Sequence, residues 1–294
     1  MYDFSEMELS IAYTQMVKVL LGSARTFTAN RLSFALDLHG PSYTSQGGAG
    51  AIFHLIEIAR SQLEERTIDA AIVVSGNFLL TARSLAILDG MGLAAKDGKC
   101  RPFDKKANGY ALSESCVAFF LQRESDARRN WATVVGADHK FFGQKQGSIL
   151  AFDGRPAKEM LRQLYSRCQV DPASVCYIEA DGSGVKERDV DEVDIISDVF
   201  CQRRKEPILI GSIKSNMGHA ECTACAAGAV KAIVALNSCK IPPTIHVESP
   251  IPELTSKGLK IVTETTPFKG DFVGVNAIGL GGHFGHLLLK MNPK

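Results

Sequence analysis

The chain has 294 residues, 45% of them hydrophobic, so it is long enough to bury one large core or two small ones. Its formal net charge of +1 at pH 7 produces no overall field that would favour nucleic acid or an anionic membrane. The eight cysteines are scattered without the spacing of a disulfide framework, and no signal peptide is recognisable. We therefore expect a reducing, cytoplasmic setting, no nucleic-acid partner and no association with membranes.

The first informative unit along the chain is a glycine-rich turn, residues 40–50, that leads into a predicted helix. Such a turn gathers unpaired N–H groups and the positive end of a helix dipole at one point. It is a common setting for a Ser or Cys nucleophile whose backbone donors face an oxyanion. Ala49 stands at the apex of this turn and has no nucleophilic atom. The helix is indicated by apolar residues at helical spacing, namely Ile52, Leu55, Ile56, Ala59 and Leu63.

Short apolar runs then alternate with helical patterns, which predicts an α/β fold. The charged stretch 123–130 is the predicted boundary between an N-terminal half, residues 1–122, and a C-terminal half, residues 131–294. The predicted strands are 69–75, 117–121, 132–137, 175–179 and 208–211, followed by a hairpin of 272–276 and 287–290. The predicted helices after the turn are 158–168, 191–203 and 224–237.

Three further segments have residues suited to chemistry. One is a strand that ends in a glycine turn containing Asp181, and the second is a strand-to-helix junction that contains Lys214 and His219. The third is a turn, residues 276–283, whose glycines allow the backbone to approach a ligand closely.

Taken in order, these segments resemble the β-ketoacyl synthase family, specifically the ketosynthase domain of animal-type fatty acid synthase and of polyketide synthases. The likeness extends over nearly the whole chain, but the opening part of a complete family domain has no counterpart here. The supporting framework is residues 29–34, 40–42, 90–93, 97–98, 101–104, 108–110, 179–180, 210–212, 214–216, 218–219, 279–282 and His286.

The resemblance implies a thiolase-like fold, in which two related halves form a five-layered αβαβα arrangement, here with an incomplete N-terminal half. Family members are normally dimeric. They form an acyl-thioester on a Cys, decarboxylate a malonyl group held by an acyl carrier protein, and join the two groups by Claisen condensation. The implied partners are therefore acyl carrier protein, acyl and malonyl thioesters and a second copy of the chain, with no cofactor and no metal.

Transferred residue by residue, the resemblance implies a degenerate active site. The nucleophile position falls on Ala49 and the first His position on Asp181, whereas the second His is retained as His219, with the accompanying Lys at Lys214. The backbone amides of Ala49 and Leu280 could still form an oxyanion hole. The residues assigned to substrate binding are Leu280, Gly281, Gly282 and Asn276.

These changes predict that condensing activity is lost. Ala49 offers no thiolate, so no acyl-enzyme can form. The carboxylate of Asp181 places negative charge where an enolate oxygen would develop, which opposes the transition state. We therefore predict a ketosynthase-like pseudoenzyme that binds acyl thioesters or acyl carrier protein. Two alternatives stay open: a malonyl-thioester decarboxylase or non-covalent acyltransferase that uses His219, and a non-catalytic structural domain of a megasynthase.

Individual residues also have structural explanations. Lys214 could form a structural ion pair, and Asp181 could be an ordinary turn residue. Cys222 and Cys225 have the spacing of a redox or zinc pair, but they lie in a small-residue helix without a second ligand pair. For these two cysteines core packing is the favoured interpretation.

Overall fold

A computed structural model describes residue 22 and residues 24–143 and 152–292. The helices in chain order are α1 (Phe27–Ala35), α2 (Ala51–Glu64), α3 (Arg83–Gly90), α4 (Gly154–Arg167), α5 (Lys186–Ile196), α6 (Lys214–Met217), α7 (Ala224–Ser238) and α8 (Pro252–Ser256). The strands are β1 (Ala70–Asn77), β2 (Ser115–Gln122), β3 (Thr133–Phe141), β4 (Val175–Glu179), β5 (Ile208–Gly211), β6 (Lys240–Ile241), β7 (Leu259–Ile261), β8 (Thr266–Pro267), β9 (Phe272–Gly279) and β10 (His283–Lys290).

The larger sheet is mixed and has the strand order β3-β10-β9-β4-β5-β7. Strands β4 and β5 pair in parallel with each other, β4 is parallel to β9, and β9 and β10 form the antiparallel hairpin expected from the sequence. The runs that form β4 and β5 are almost continuously apolar because both faces of this sheet are covered. Glu179 at the end of β4 lies beside Gly211 at the end of β5. The segments that follow these two strands therefore leave the sheet at the same edge.

The smaller sheet is the antiparallel pair of β1 and β2, in which inward and outward side chains alternate. Val73 and Phe119 face the interior and belong to one hydrophobic cluster with α2 and α7. On the opposite face Val74 is 41% exposed and Phe120 is 63% exposed. Among the described residues, this outer face has no layer of helices packed on it.

The helices α2 and α7 form a layer between the two sheets, because each contacts strands of both. One core cluster joins these helices to the face of the large sheet that contains Tyr177 and Leu287. A second cluster joins α4 and α5 to the opposite face, which contains Ile178 and Leu288. The described residues thus show four layers: α4 with α5, the large sheet, α2 with α7, and the small sheet.

Most predicted elements are present with small shifts at their ends. Strands 175–179 and 208–211 are confirmed at their predicted limits, and helix 224–237 extends by one residue as α7. The helix predicted over 191–203 begins earlier, at Lys186, and passes into a π-helical turn at Ser197–Cys201. The helix α1 was not predicted because it buries none of its residues and so shows no apolar periodicity.

The predicted halves share a core, since one cluster contains residues of α2 and β1 together with residues of β9 and β10. The boundary between residues 1–122 and 131–294 stays a prediction. None of the helices that the structure describes is both long enough and apolar enough to cross a lipid bilayer.

Candidate active site

Asp181 and Lys214 meet at the edge where β4 and β5 end. The Nζ atom of Lys214 lies 2.6 Å from Asp181 Oδ1 and also donates to the main-chain oxygen of Asp181 at 2.6 Å. The backbone N–H of Ile278 donates to the same carboxylate oxygen at 3.2 Å. Burial is the largest single influence and raises the pKa of Asp181, but the charge and hydrogen bond of Lys214 together with the other neighbours outweigh it, so the pKa lies below the ordinary value. The carboxylate is therefore charged and held by a cation and an amide.

His219 lies at the start of the segment that leads into α7, and its ring packs 4.4 Å from the ring of Tyr110. The backbone N–H of Glu221 donates to His219 Nδ1 at 2.9 Å, so in the neutral ring the proton is on Nε2. Burial, with a contribution from Lys214, lowers the pKa of His219 to about 3. His219 is thus a neutral imidazole that can donate one hydrogen bond from Nε2.

The turn that contains Ala49 is packed tightly against the large sheet. Gly50 adopts φ 84°, and a Cβ atom there would lie 3.0 Å from His139 Cδ2 and 3.3 Å from Gly285 Cα. The close approach and the positive φ both require glycine at this position. Burial, followed by the neighbouring rings of His283 and His54, lowers the pKa of His139 to about 4. The turn is therefore held against β3 and β10 by uncharged contacts, which include a hydrogen bond between the His139 ring and the backbone of Ala49. Ala49 at the apex is only partly buried.

The thiol of Cys225, at the start of α7, lies beside this turn. The backbone of Gly50 and the charges of Lys214 and Asp181 all act on it, which brings the turn and the ion pair into one region. Burial is the largest influence and raises the pKa of the Cys225 thiol to about 11. Cys225 is 4% exposed and belongs to the core cluster, as predicted for core packing.

Sequence reasoning missed two buried carboxyl groups on α5 that support the Asp181 turn. The carboxyl oxygens of Glu192 each accept a hydrogen bond at 2.8 Å, one from the backbone N–H of Asp181 and one from that of Gly182. Asp189 accepts from the N–H of Phe103 at 2.8 Å. Burial is the main reason that the pKa values of Glu192 and Asp189 are raised to about 7. For Glu192 the available signal was an acidic residue on the apolar stripe of the helix predicted over 191–203, whereas Asp189 precedes that predicted helix.

Asn276 lies behind the Asp181 turn rather than beside Leu280. Its Nδ2 donates to Glu192 Oε1 at 2.9 Å, and its Oδ1 lies 2.7 Å from His286 Nδ1. Both polar atoms of the Asn276 side chain therefore have protein partners. Leu280, Gly281 and Gly282 form the turn between β9 and β10. Substrate binding by these four residues stays a prediction.

A second buried ion pair lies next to the first. Lys231 Nζ, on α7, is 2.8 Å from Glu179 Oε2, and both side chains are almost fully buried. Glu179 also accepts from the hydroxyl of Tyr177 at 2.5 Å and from the N–H of Ile213 at 2.6 Å. In residues 24–143 and 152–292, no group of three or more His, Cys, Asp or Glu side chains is arranged to hold a metal ion.

Comparison with models of known protein families identifies the family of this chain. Residues 2–127 match the family model "Beta-ketoacyl synthase, N-terminal domain", and residues 131–248 match "Beta-ketoacyl synthase, C-terminal domain". Residues 248–294 match "Ketoacyl-synthetase C-terminal extension". The chain belongs to the β-ketoacyl synthase family.

Similar proteins include synthases of two kinds. The chain is 33% identical over 217 residues to a fatty acid synthase from Anser anser anser, covering 74% of this chain and 62% of that protein. It is 33% identical over 276 residues to 5-methyl-1-naphthoate synthase from Streptomyces sahachiroi, covering 90% of this chain and 16% of that protein. The chain thus spans less than two thirds of each of these relatives.

A solved structure of the ketosynthase from module 6 of the bacillaene synthase from Bacillus subtilis 168 superposes with a TM-score of 0.88 at 27% identity. The superposition covers 93% of this chain and 50% of that one. The thiolase-like fold expected from the sequence is therefore confirmed.

From the buried ion pair of Lys214 and Asp181 we predict how variants change the free energy of unfolding. We expect Asp181→Ala to lower the free energy of unfolding by about 3–5 kcal/mol, because it leaves a buried ammonium group without a partner. Lys214→Met should act similarly, and the double variant should lose less than the sum of the two single losses. Urea unfolding of all four proteins measures this coupling.

The half-exposed pair of Lys158 and Asp194, at 3.1 Å, is the matched control. Lys158→Met should cost less than about 1 kcal/mol, as is usual for exposed ion pairs. Additive losses for Asp181→Ala and Lys214→Met would contradict the coupling.

From the raised pKa of Glu192 we predict that the free energy of unfolding depends on pH. Burial raises its pKa from the ordinary value of 4.5 to about 7, so its stabilising contribution is present below pH 4.5 and is lost as the pH rises through 7. Glu192→Gln removes this dependence. Relative to the unaltered chain, the variant should therefore gain about 1 to 3 kcal/mol of unfolding free energy between pH 4.5 and pH 8.

Urea unfolding at several pH values measures this difference. Glu187→Gln, at an exposed position of the same helix, is the matched control. A Glu192→Gln difference that does not change with pH would mean that Glu192 is already charged at low pH.

Proposed function

We propose that this chain is a ketosynthase-like domain of a cytoplasmic fatty acid or polyketide synthase that binds acyl thioesters but does not condense them. The observation that carries the proposal is the pairing of Lys214 with a carboxylate, Asp181, at the predicted position of a catalytic His. It occurs together with Ala49 at the predicted nucleophile position. The two changes affect different steps of the same reaction.

The first step, formation of an acyl-enzyme, needs a thiolate at the turn. Ala49 cannot supply one. The thiol of Cys225 lies nearby, but burial keeps its pKa at about 11, so it stays protonated at neutral pH. The described residues around the turn thus include no activated nucleophile.

The condensation step needs hydrogen-bond donors for the developing enolate oxygen. The ionised carboxylate of Asp181 can only accept hydrogen bonds. It also neutralises Lys214, the nearest cation, at 2.6 Å. Asp181 therefore opposes an enolate in two ways. Its own negative charge repels the enolate oxygen, and its ion pair with Lys214 leaves that ammonium group unable to stabilise the enolate.

The remaining groups suit the binding of a neutral carbonyl. His219 presents an Nε2–H donor and does not charge at neutral pH, because burial lowers its pKa to about 3. The amides of Ala49 and Leu280 are backbone groups, which the loss of the nucleophile does not remove. We propose that these donors receive the carbonyl oxygen of an acyl thioester presented by an acyl carrier protein.

A reconstitution assay tests the proposal. The unaltered chain, given an acyl thioester and malonyl-acyl carrier protein, should give no β-ketoacyl product and no acylated protein by mass spectrometry. Ala49→Cys should become acylated, because a thiol at the helix N-terminus is favoured as thiolate. Condensation should require Asp181→His in addition. Ala49→Ser is the matched control and should acylate far more slowly.

Other outcomes of this assay favour the alternatives. A β-ketoacyl product from the unaltered chain would overturn the proposal. Carbon dioxide release that His219→Ala abolishes would favour a decarboxylase. Failure of the unaltered chain to bind any acyl thioester would favour a purely structural domain.

We also propose that the chain forms a homodimer. Four exposed apolar side chains, Leu32, Phe34, Leu36 and Leu38, lie just before the Ala49 turn, and Phe34 is 91% exposed. A second copy of the chain would cover such a surface. Sedimentation velocity should show a dimer that Phe34→Asp converts to monomer, and a monomeric unaltered chain would contradict this.

A further inference from the structure

Both buried ammonium groups of this region lie within ion-pair distance of protein carboxylates. Lys214 is paired with Asp181 at 2.6 Å and Lys231 with Glu179 at 2.8 Å, and all four side chains are at most 6% exposed. A buried pair of this kind is neutral as a unit and has little attraction left for a further anion.

Acidic groups outnumber cations around this region. Glu192 and Asp189 are fully buried, accept hydrogen bonds from backbone N–H groups, and form no ion pair among the described residues. Glu221, in the segment after His219, is partly buried, and burial raises its pKa. Any additional negative charge would therefore lie close to three carboxyl groups that are already difficult to ionise.

One further cation acts on the site. Arg188, a partly exposed residue of α5, contributes with Lys214 to lowering the pKa of His219. Because it is partly solvated, its charge is weakened by water more than that of Lys214. Arg188 is the residue to test as an alternative partner for an anionic substrate.

From this distribution of charge we infer that the site takes thioesters of neutral acyl groups and rejects those with a terminal carboxylate, such as malonyl. The inference rests on the proposed function, because it names the class of acyl group bound at the same site. A malonyl carboxylate would lose its hydration without gaining a cation, which is costly. It would also approach Asp181, a like charge.

Two thioester probes of similar shape separate the effect of the terminal negative charge from the effect of size. S-isovaleryl-pantetheine and S-malonyl-pantetheine differ mainly in that two methyl groups replace the two carboxylate oxygens. Isothermal titration of the full chain at pH 7.5 should show at least about tenfold tighter binding of the isovaleryl thioester, since like-charge contacts are strongly unfavourable. Mass spectrometry of the recovered malonyl probe shows whether it stays intact during the measurement.

The variant Asp181→Asn should reverse this preference. It leaves the ammonium of Lys214 without a carboxylate, so the ratio of malonyl to isovaleryl affinity should rise about tenfold or more. Glu187→Gln, on the exposed face of α5, removes one negative charge away from the ion pair and is the matched control. The comparison of the two probes on the unaltered chain does not depend on whether Asp181→Asn folds.

Each outcome has a defined meaning. Equal affinity for the two thioesters would overturn the inference and leave the proposed function intact. Malonyl binding that is at least as tight and is lost in Arg188→Gln would overturn it in favour of Arg188 as the carboxylate partner. Failure of both probes to bind would overturn the proposed function and the inference together.

Discussion

The buried ion pair of Lys214 and Asp181 is the constraint on which the rest of the site depends. Parallel pairing of β4 and β5 brings the ends of both strands to one edge, so the two side chains meet at 2.6 Å. In this buried environment either charge without its partner would strongly destabilise the fold. Glu192 in turn holds the backbone of Asp181 and Gly182, and Asn276 links Glu192 to His286. The turn is therefore fixed from two sides.

The Ala49 turn is held by packing that does not depend on the side chain at its apex. Gly50 is required by its positive φ and by its approach to His139 and Gly285. None of these contacts involves a nucleophilic side chain. Ala49 can thus occupy the apex while the surrounding backbone keeps its geometry, because packing against His139 and Gly285 determines the turn.

Sequence reasoning succeeded where the signal is local. Continuous apolar runs defined β4 and β5 to the residue. The order of motifs predicted that Asp181, Lys214 and His219 lie close together, and the structure brings them within range of one another's charges. It failed where the signal is not local. The helix α1 buries nothing and has no periodicity, and the pairing of Lys231 with Glu179 depends on how α7 crosses the large sheet. Such contacts join residues that are distant in the chain.

By itself the sequence determined which atoms are available. It established that position 49 has no sulfur, that position 181 has a carboxyl group, and that His219 and Lys214 are present. Only the tertiary structure decided whether each of these groups is charged and where its protons lie. Whether a carboxyl group is charged, or which nitrogen of His219 holds the proton, depends on burial and on neighbours within a few ångströms. The fold, and not the local sequence, supplies those neighbours.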